Sequence, residues 1–245
     1  MTEPERNSLY PFLPVLNRDK RGGAVQHIHD AVRDAIVRLE IAPGALIDKS
    51  ALCERLGVSR FPVSEALGRL ADDGFVEILP QRGTRVTLIN LADCREAMFI
   101  RRALEADAVR VIALQSDGKF LNAFRDNLAA QRAAMKTDDR IAFHALDLAL
   151  HDLLLDALGF ERVKTAVYAA RAKLDRMRLF LCTPERQAST IAEHERILAA
   201  LRTRDPAAAG QAMEEHLDMV MTELASFSAT RPDVFETRID ESAVA

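Results

Sequence analysis

The side chains with the most chemistry lie in the second half of the chain. The segment IAFHALDLALHDLLLDAL, beginning at Ile141, is apolar almost all round and is therefore expected to be a buried helix. It nevertheless carries His144, Asp147 and His151, whose offsets of three and four put them on one face. Leaving such groups buried and unsatisfied costs several kcal/mol, so they require partners. His194 shares a stripe with Ile191, Leu198 and Leu201, and His216 shares one with Ala212, Met213 and Val220, so both also aim inward. Asp147, His151, His194 and His216 make a mixed N/O set suited to a divalent Zn, Ni or Mn ion, with room for water or an oxyanion. A hydrogen-bonded Asp–His core network is the alternative. An open position on such an ion could also activate water in an enzyme. Against that reading stand the lack of a nucleophile motif, of a phosphate-binding loop and of a general base at a characteristic spacing. In a third reading the ion itself is the signal.

Arg101 falls on an inward stripe with Met98 and Leu104, an expensive place for a cation. It can pair with Glu105 four residues on, or grip a carboxylate bidentately, and the glutamate could orient it for that task.

Six helical stretches must position these groups, near 93–114, 119–136, 139–158, 161–181, 184–203 and 206–228. Thr183-Pro184 and Asp205-Pro206 each put a capping oxygen before a proline at the first helical position. The region 91–228 is thus expected to be an all-α bundle, with 229–245 as a loose tail.

Upstream the pattern changes. Residues 1–23 hold three prolines and no periodicity, and are expected to form a flexible arm. Val25, Ile28, Val32, Ile36 and Leu39 then recur at helical spacing until Pro43-Gly44. A short helix capped by Ser50 ends at Gly57, and another, capped by Ser59, buries Val63, Ala66, Leu67 and Leu70. Phe75 to Leu79 and Thr84 to Leu88 are β-rich runs around Pro80-Gln-Arg-Gly83, a hairpin with a basic tip. Helix, helix, turn, helix, hairpin over 24–90 is the winged helix-turn-helix order. Its third helix leaves Arg60, Phe61, Ser64 and Gly68 facing out. An arginine there can donate two bonds to guanine, while Arg82 and Arg85 of the hairpin can reach phosphate or the minor groove.

Composition is compatible with this and does not demand it. The 245 residues carry a formal charge of −4, and the low aromatic content, 5% with no Trp, favours packed helices. Between residues 55 and 69, Arg55, Arg60 and Arg69 stand against Glu65 alone. Cys53, Cys94 and Cys182 are scattered, with no CxxC pair, which fits free thiols in a cytoplasmic protein. No apolar run is long enough to span a bilayer, so no membrane partner is expected.

The elements Pro43-Gly44, LGVSRFPVSEALGRL, Asp73-Gly-Phe-Val76 and Arg82-Gly-Thr-Arg-Val86 resemble the DNA-binding domain of the GntR superfamily of bacterial transcription regulators. Residues 93–228 resemble the FCD ligand-binding domain of its FadR subfamily, through Arg101-Arg-Ala-Leu-Glu105, Asp147-x-x-x-His151, Glu193-His194 and Met213-x-x-His216. The resemblance implies a mostly α fold and a homodimeric repressor or activator, not an enzyme. It implies a double-stranded DNA operator with an inverted repeat. It also implies Asp147, His151, His194 and His216 as metal ligands, and a small carboxylate effector held near Arg101 and Glu105. Arg60 carries over as a base reader with Ser59, Phe61 and Ser64 beside it, and Arg69, Arg82 and Arg85 as backbone contacts. The chain departs from the family pattern SR-T-PVREAL at Phe61 and at Ser64, where an operator-contacting arginine is usual. It also departs at Ser50, and at Phe160, where Asn is frequent and the pocket floor is expected. His144 is expected beside the ligands or in the core.

Overall fold

The computed structural model describes residues 9–15 and 23–236. The chain divides between Ile89 and Asn90 into two compact units.

The first unit contains α1 (Ala24–Val37), β1 (Leu46–Ile47), α2 (Lys49–Leu56), α3 (Arg60–Asp72), β2 (Val76–Leu79) and β3 (Gly83–Val86). Helix α1 buries Ile28, Val32 and Ile36, the four-residue spacing of one helix face, and packs on α3. Helix α2 is capped by Asp48, whose side chain accepts from the amides of Ser50 and Ala51, so the cap lies two residues before the expected Ser50. The aspartate has the extended backbone a cap needs, whereas Ser50 is already inside the helix. Gly57 ends α2 in the left-handed region at φ 69°, turning the chain into α3. Ser59 occupies the N-cap position of α3 without making a side-chain cap bond. The two-strand hairpin acquires a third member: β1 pairs antiparallel with β3, giving the order β1-β3-β2. Two residues carry too little pattern for that strand to be anticipated.

Part of the expected N-terminal arm is packed. Tyr10 and Leu13 are buried at 6% and 2% exposure. Residues 1–8 and 16–22 of that arm lie outside the described residues.

The second unit contains α4 (Leu91–Gln115), α5 (Gly118–Lys136), α6 (Arg140–Leu158), α7 (Glu161–Leu181), α8 (Pro184–Thr203) and α9 (Pro206–Thr230). Thr183 and Asp205 accept from the amides of Arg186 and Ala208, so both proline-adjacent caps form. Helix α4 runs through the bundle, packing on α6, α7, α8 and α9, while α5 packs on α6 and α8. A short 3-10 turn, Pro232–Val234, follows α9. It lies in the stretch expected to be a loose tail, yet Val234 and Phe235 are buried and the Phe235 ring meets Phe227 edge-on. Residues 237–245 of that tail lie outside the described residues.

Candidate metal centre and nucleic-acid interface

Helix α6 delivers Asp147 and His151, α8 delivers His194 and α9 delivers His216. All four are buried, and one ligand atom from each lies within 4.8 Å of the others. Each imidazole is held from behind through Nδ1. That of His151 is 2.5 Å from Glu105 Oε2, that of His216 is 2.7 Å from Glu193 Oε2, and that of His194 is 3.1 Å from Gln131 Oε1. Carboxylate and amide oxygens only accept, so each Nδ1 must donate and each Nε2 is left with a lone pair. The Nε2 atoms of His151 and His216 are 3.3 Å apart, and His194 Nε2 is 3.5 Å from Asp147 Oδ1. His194 Nε2 and Asp147 Oδ1 are buried with no hydrogen-bond partner. Two orphaned atoms, from α6 and α8, beside two Nε2 atoms that face each other fit a cation better than a self-satisfied hydrogen-bond network.

Burial and the surrounding charges together favour a ligating state. Burial drives His216 down to about 4 although Glu193 raises it. Burial, then His216, hold His194 well below the usual imidazole range. Burial pushes the Asp147 carboxyl up, but Arg178 and the three imidazoles outweigh it and leave it well below the usual carboxylate range. Neutral imidazoles, as at His194 and His216, and an ionised carboxylate, as at Asp147, are the forms that bind a metal.

Arg101 is fully buried, and its Nε donates to Glu105 Oε1 at 2.6 Å. Arg101 thus stands behind the glutamate that holds His151. It does not line the cavity next to the cluster. That cavity, of about 30 Å³, is bounded by Asp147 and His144 of α6, Arg178 of α7, and Arg186, Gln187 and Thr190 of α8. Arg178 donates to Asp147 Oδ2 and keeps Nη1 buried without a hydrogen-bond partner, so it and Arg186 are the cations that line the cavity, which Arg101 does not. Sequence reading missed Arg178, although its position on the α7 stripe with Leu174 and Leu181 was a signal. Arg186 was missed too: it makes two bonds to Glu193, at 2.6 and 2.7 Å, fixing the carboxylate behind His216. Gln131 gave no signal beyond lying within α5. His144 borders the cavity, its Nε2 4.0 Å from Asp175 Oδ1, and burial lowers it to about 4. Phe160 is not part of the pocket floor. It is the N-cap residue of α7, 59% exposed, and makes no cap bond.

In the first unit, Ser59, Arg60, Phe61, Ser64, Arg69, Arg82 and Arg85 are all exposed. Phe61, at 76%, is a large apolar ring left in solvent beside Arg60. Arg69 lies 4.0 Å from Glu65, and Arg85 lies 2.6 Å from Glu77 on the neighbouring strand. Pairs this exposed are weak and can be exchanged for phosphate. Arg55, counted in sequence with this basic group, is engaged elsewhere: its Nε and Nη2 donate to the carbonyls of Leu13 and Pro11.

None of the three cysteines forms a disulfide, and among the described residues no helix is long and apolar enough to cross a membrane.

Residues 24–86 match the family of bacterial regulatory proteins called gntR, and residues 96–219 match the FCD domain. The chain is 34% identical over 211 residues to an HTH-type transcriptional regulator in an unstable DNA locus of Streptomyces ambofaciens, covering 86% of this chain and 89% of that one. It is 31% identical over 214 residues to the HTH-type transcriptional repressor RspR of Escherichia coli K12, covering 86% and 92%. Among solved structures, a GntR regulator from Rhodococcus sp. RHA1 shares the fold with a TM-score of 0.72 at 21% identity, over 82% of this chain and 97% of that one. The winged unit with its exposed arginine helix, followed by a six-helix FCD unit, makes this chain a member of the GntR family of DNA-binding transcription regulators, and not an enzyme.

Proposed function

We propose that this regulator holds a divalent metal ion through Asp147, His151, His194 and His216, and that a small carboxylate bound beside it controls operator affinity. The observation that carries the reading is the convergence of three lone-pair-bearing Nε2 atoms and an orphaned aspartate oxygen within 4.8 Å. A tetrahedral ion with ligands at 2.0–2.1 Å has edges of about 3.3 Å, close to the His151–His216 separation. Zn, Ni or Mn suits the donor set, and the ion would supply a positive charge with an open position for an oxyanion.

Around it, this chain's own residues do the selecting. Arg178 presents Nη1 to the cavity as a charge-assisted donor for a carboxylate. Arg101 and Glu105 act one step back, holding His151. An acid on Nη1 would share the guanidinium with Asp147, which takes Nη2, and would control operator affinity only by binding two states of the protein unequally. Coupling of that sort is typically about 1–3 kcal/mol.

On DNA, α3 is assigned to the major groove. Arg60 reads guanine, Ser59, Phe61 and Ser64 lie beside it, and Arg69, Arg82 and Arg85 meet the backbone. A homodimer on an inverted repeat suits one α3 per half-site.

The test is thermal unfolding of chelator-stripped protein with and without Zn, Ni or Mn, repeated with a panel of small carboxylates, alongside gel shifts. Stabilisation by acids only in the metal-loaded protein, accompanied by altered DNA binding, is expected. Equal melting in stripped and loaded protein would remove the metal from the reading. A response of operator binding to metal alone would favour sensing of the ion itself.

A further inference from the structure

The segment Leu9–Val15 lies outside every element needed for a winged helix-turn-helix, yet it is built into the first unit at both ends of one helix. Near the start of α2, the Tyr10 hydroxyl accepts a 2.9 Å bond from the amide of Asp48, the residue that caps the helix. In the last turn of α2, Arg55 donates 2.7 Å bonds to the carbonyls of Leu13 and Pro11. Leu13 donates its own amide to the Tyr10 carbonyl, closing the segment into a turn, and the Tyr10 and Phe12 rings meet edge-on at 6.0 Å. Tyr10 and Leu13 are buried.

Helix α2 is eight residues long, well below the length at which an isolated helix holds together in water. Its inner face buries Ala51, Leu52 and Leu56, and contacts from the N-terminal segment reach both its ends. Two residues after Arg55 comes the left-handed Gly57, and three residues after that the chain enters α3 at Arg60. Anything that fixes α2 therefore fixes the entry of the helix that presents Arg60.

We infer that Leu9–Val15 is a brace for the DNA-reading motif, and that Arg55 is a positioning residue whose guanidinium serves the brace and not a phosphate. The inference rests on DNA binding by the winged unit and is independent of the metal and effector. A basic residue two positions before the turn of a helix-turn-helix is otherwise a natural phosphate contact, and the two roles leave different marks. A phosphate contact gives up about 0.9 in the slope of log K against log salt when lost, and a lysine largely preserves it. A brace anchor leaves the slope alone, and lysine cannot reproduce a planar guanidinium that donates to two carbonyls at once.

The experiment uses the full chain and a DNA fragment selected by the wild-type protein from a random pool. Affinity is measured across a salt series for Arg55→Ala, Arg55→Lys, Leu13→Ala, the double variant Leu13→Ala/Arg55→Ala, and Tyr10→Phe. The last removes one hydroxyl and keeps the ring, so it reports even if Leu13→Ala unfolds. The expected result is a loss of about tenfold in Arg55→Ala and Leu13→Ala, no larger loss in the double variant, little rescue by lysine and an unchanged salt slope. Tyr10→Phe is expected to lose a smaller factor in the same direction. A slope reduced by about 0.9 in Arg55→Ala together with wild-type affinity in Arg55→Lys would overturn the inference. So would wild-type affinity in both Leu13→Ala and Tyr10→Phe.

Discussion

Nε2 of His151 and Nε2 of His216 face one another at 3.3 Å, each ring pinned from behind by a buried glutamate, Glu105 for one and Glu193 for the other. With both Nδ1 atoms donating, two lone pairs point at each other, an arrangement that needs a cation between them or a proton on one of them. Burial disfavours the proton at His216, and a cation between the two Nε2 atoms would satisfy both.

The glutamate behind His216 is therefore expected to tune affinity without touching the ion. Glu193→Gln removes the charge that orients the imidazole and is predicted to weaken metal binding about 10- to 100-fold, measured by competition with a chromophoric chelator. Asp147→Ala should lose more, since it deletes a ligand. Unchanged affinity in Glu193→Gln would mean that His216 does not ligate.

In the metal-free protein, stability should depend on pH in a defined window. His144 and His216 titrate at about 4 in the folded chain, against about 6.5 in the unfolded one. Above 6.5 neither state takes a proton and there is no dependence. Between 6.5 and 4 only the unfolded chain is protonated, so stability falls as pH falls, by up to about 1.4 kcal/mol per pH unit for each imidazole. Asp147 and Glu105 have depressed folded values, so their stabilisation is lost only at pH values below the ordinary carboxylate range. Urea unfolding at pH 7, 5.5 and 4.5 checks this. A flat profile would show that the imidazoles are not held neutral.

Ser64 lies exposed on the same helix as Arg60, at a position where an arginine is usual in the pattern this chain resembles. A bidentate arginine–guanine pair discriminates by about 1–3 kcal/mol, so Ser64→Arg should change the preferred sequence in a selection from random DNA, and not just the affinity. An unaltered consensus would show that position 64 does not read bases.

Phe160 caps α7 with a side chain that cannot accept a hydrogen bond, at φ −101° and ψ 92°, which suits a capping residue. Phe160→Asn should stabilise the protein by about 0.5–1 kcal/mol, or about 2–4 °C per kcal/mol in thermal unfolding. A lower melting temperature would mean that the ring contributes packing that its 59% exposure does not suggest.

What was legible in the sequence was whatever repeats or caps. Thr183-Pro184 and Asp205-Pro206 announce helix starts with a hydroxyl or carboxylate and a proline, and α8 and α9 begin there. The histidines and Asp147 stood out because ionisable groups on an apolar stripe need a reason. Residues acting at a distance in sequence were hidden. Arg178 reaches Asp147 from 31 positions away, and Gln131 reaches His194 from 63. Periodicity marks such residues as inward-facing without saying what they meet: for Arg101 it left both a Glu105 partner and a carboxylate ligand open, and the guanidinium bonds to Glu105. The brace was invisible for the opposite reason: Tyr10 and Leu13 sit among prolines with no period, and their packing depends on Arg55, 42 residues from Leu13.

The small void beside Asp147 sets a limit on how any acid can enter. Its 30 Å³ has room for about two water molecules, enough for an acid's head group and not for a chain of several carbons. The cavity is partly open to solvent, so a longer acid could set its head group beside Arg178 and Gln187 and leave the rest of its chain outside. Recognition would then rest on the carboxylate and spare the tail.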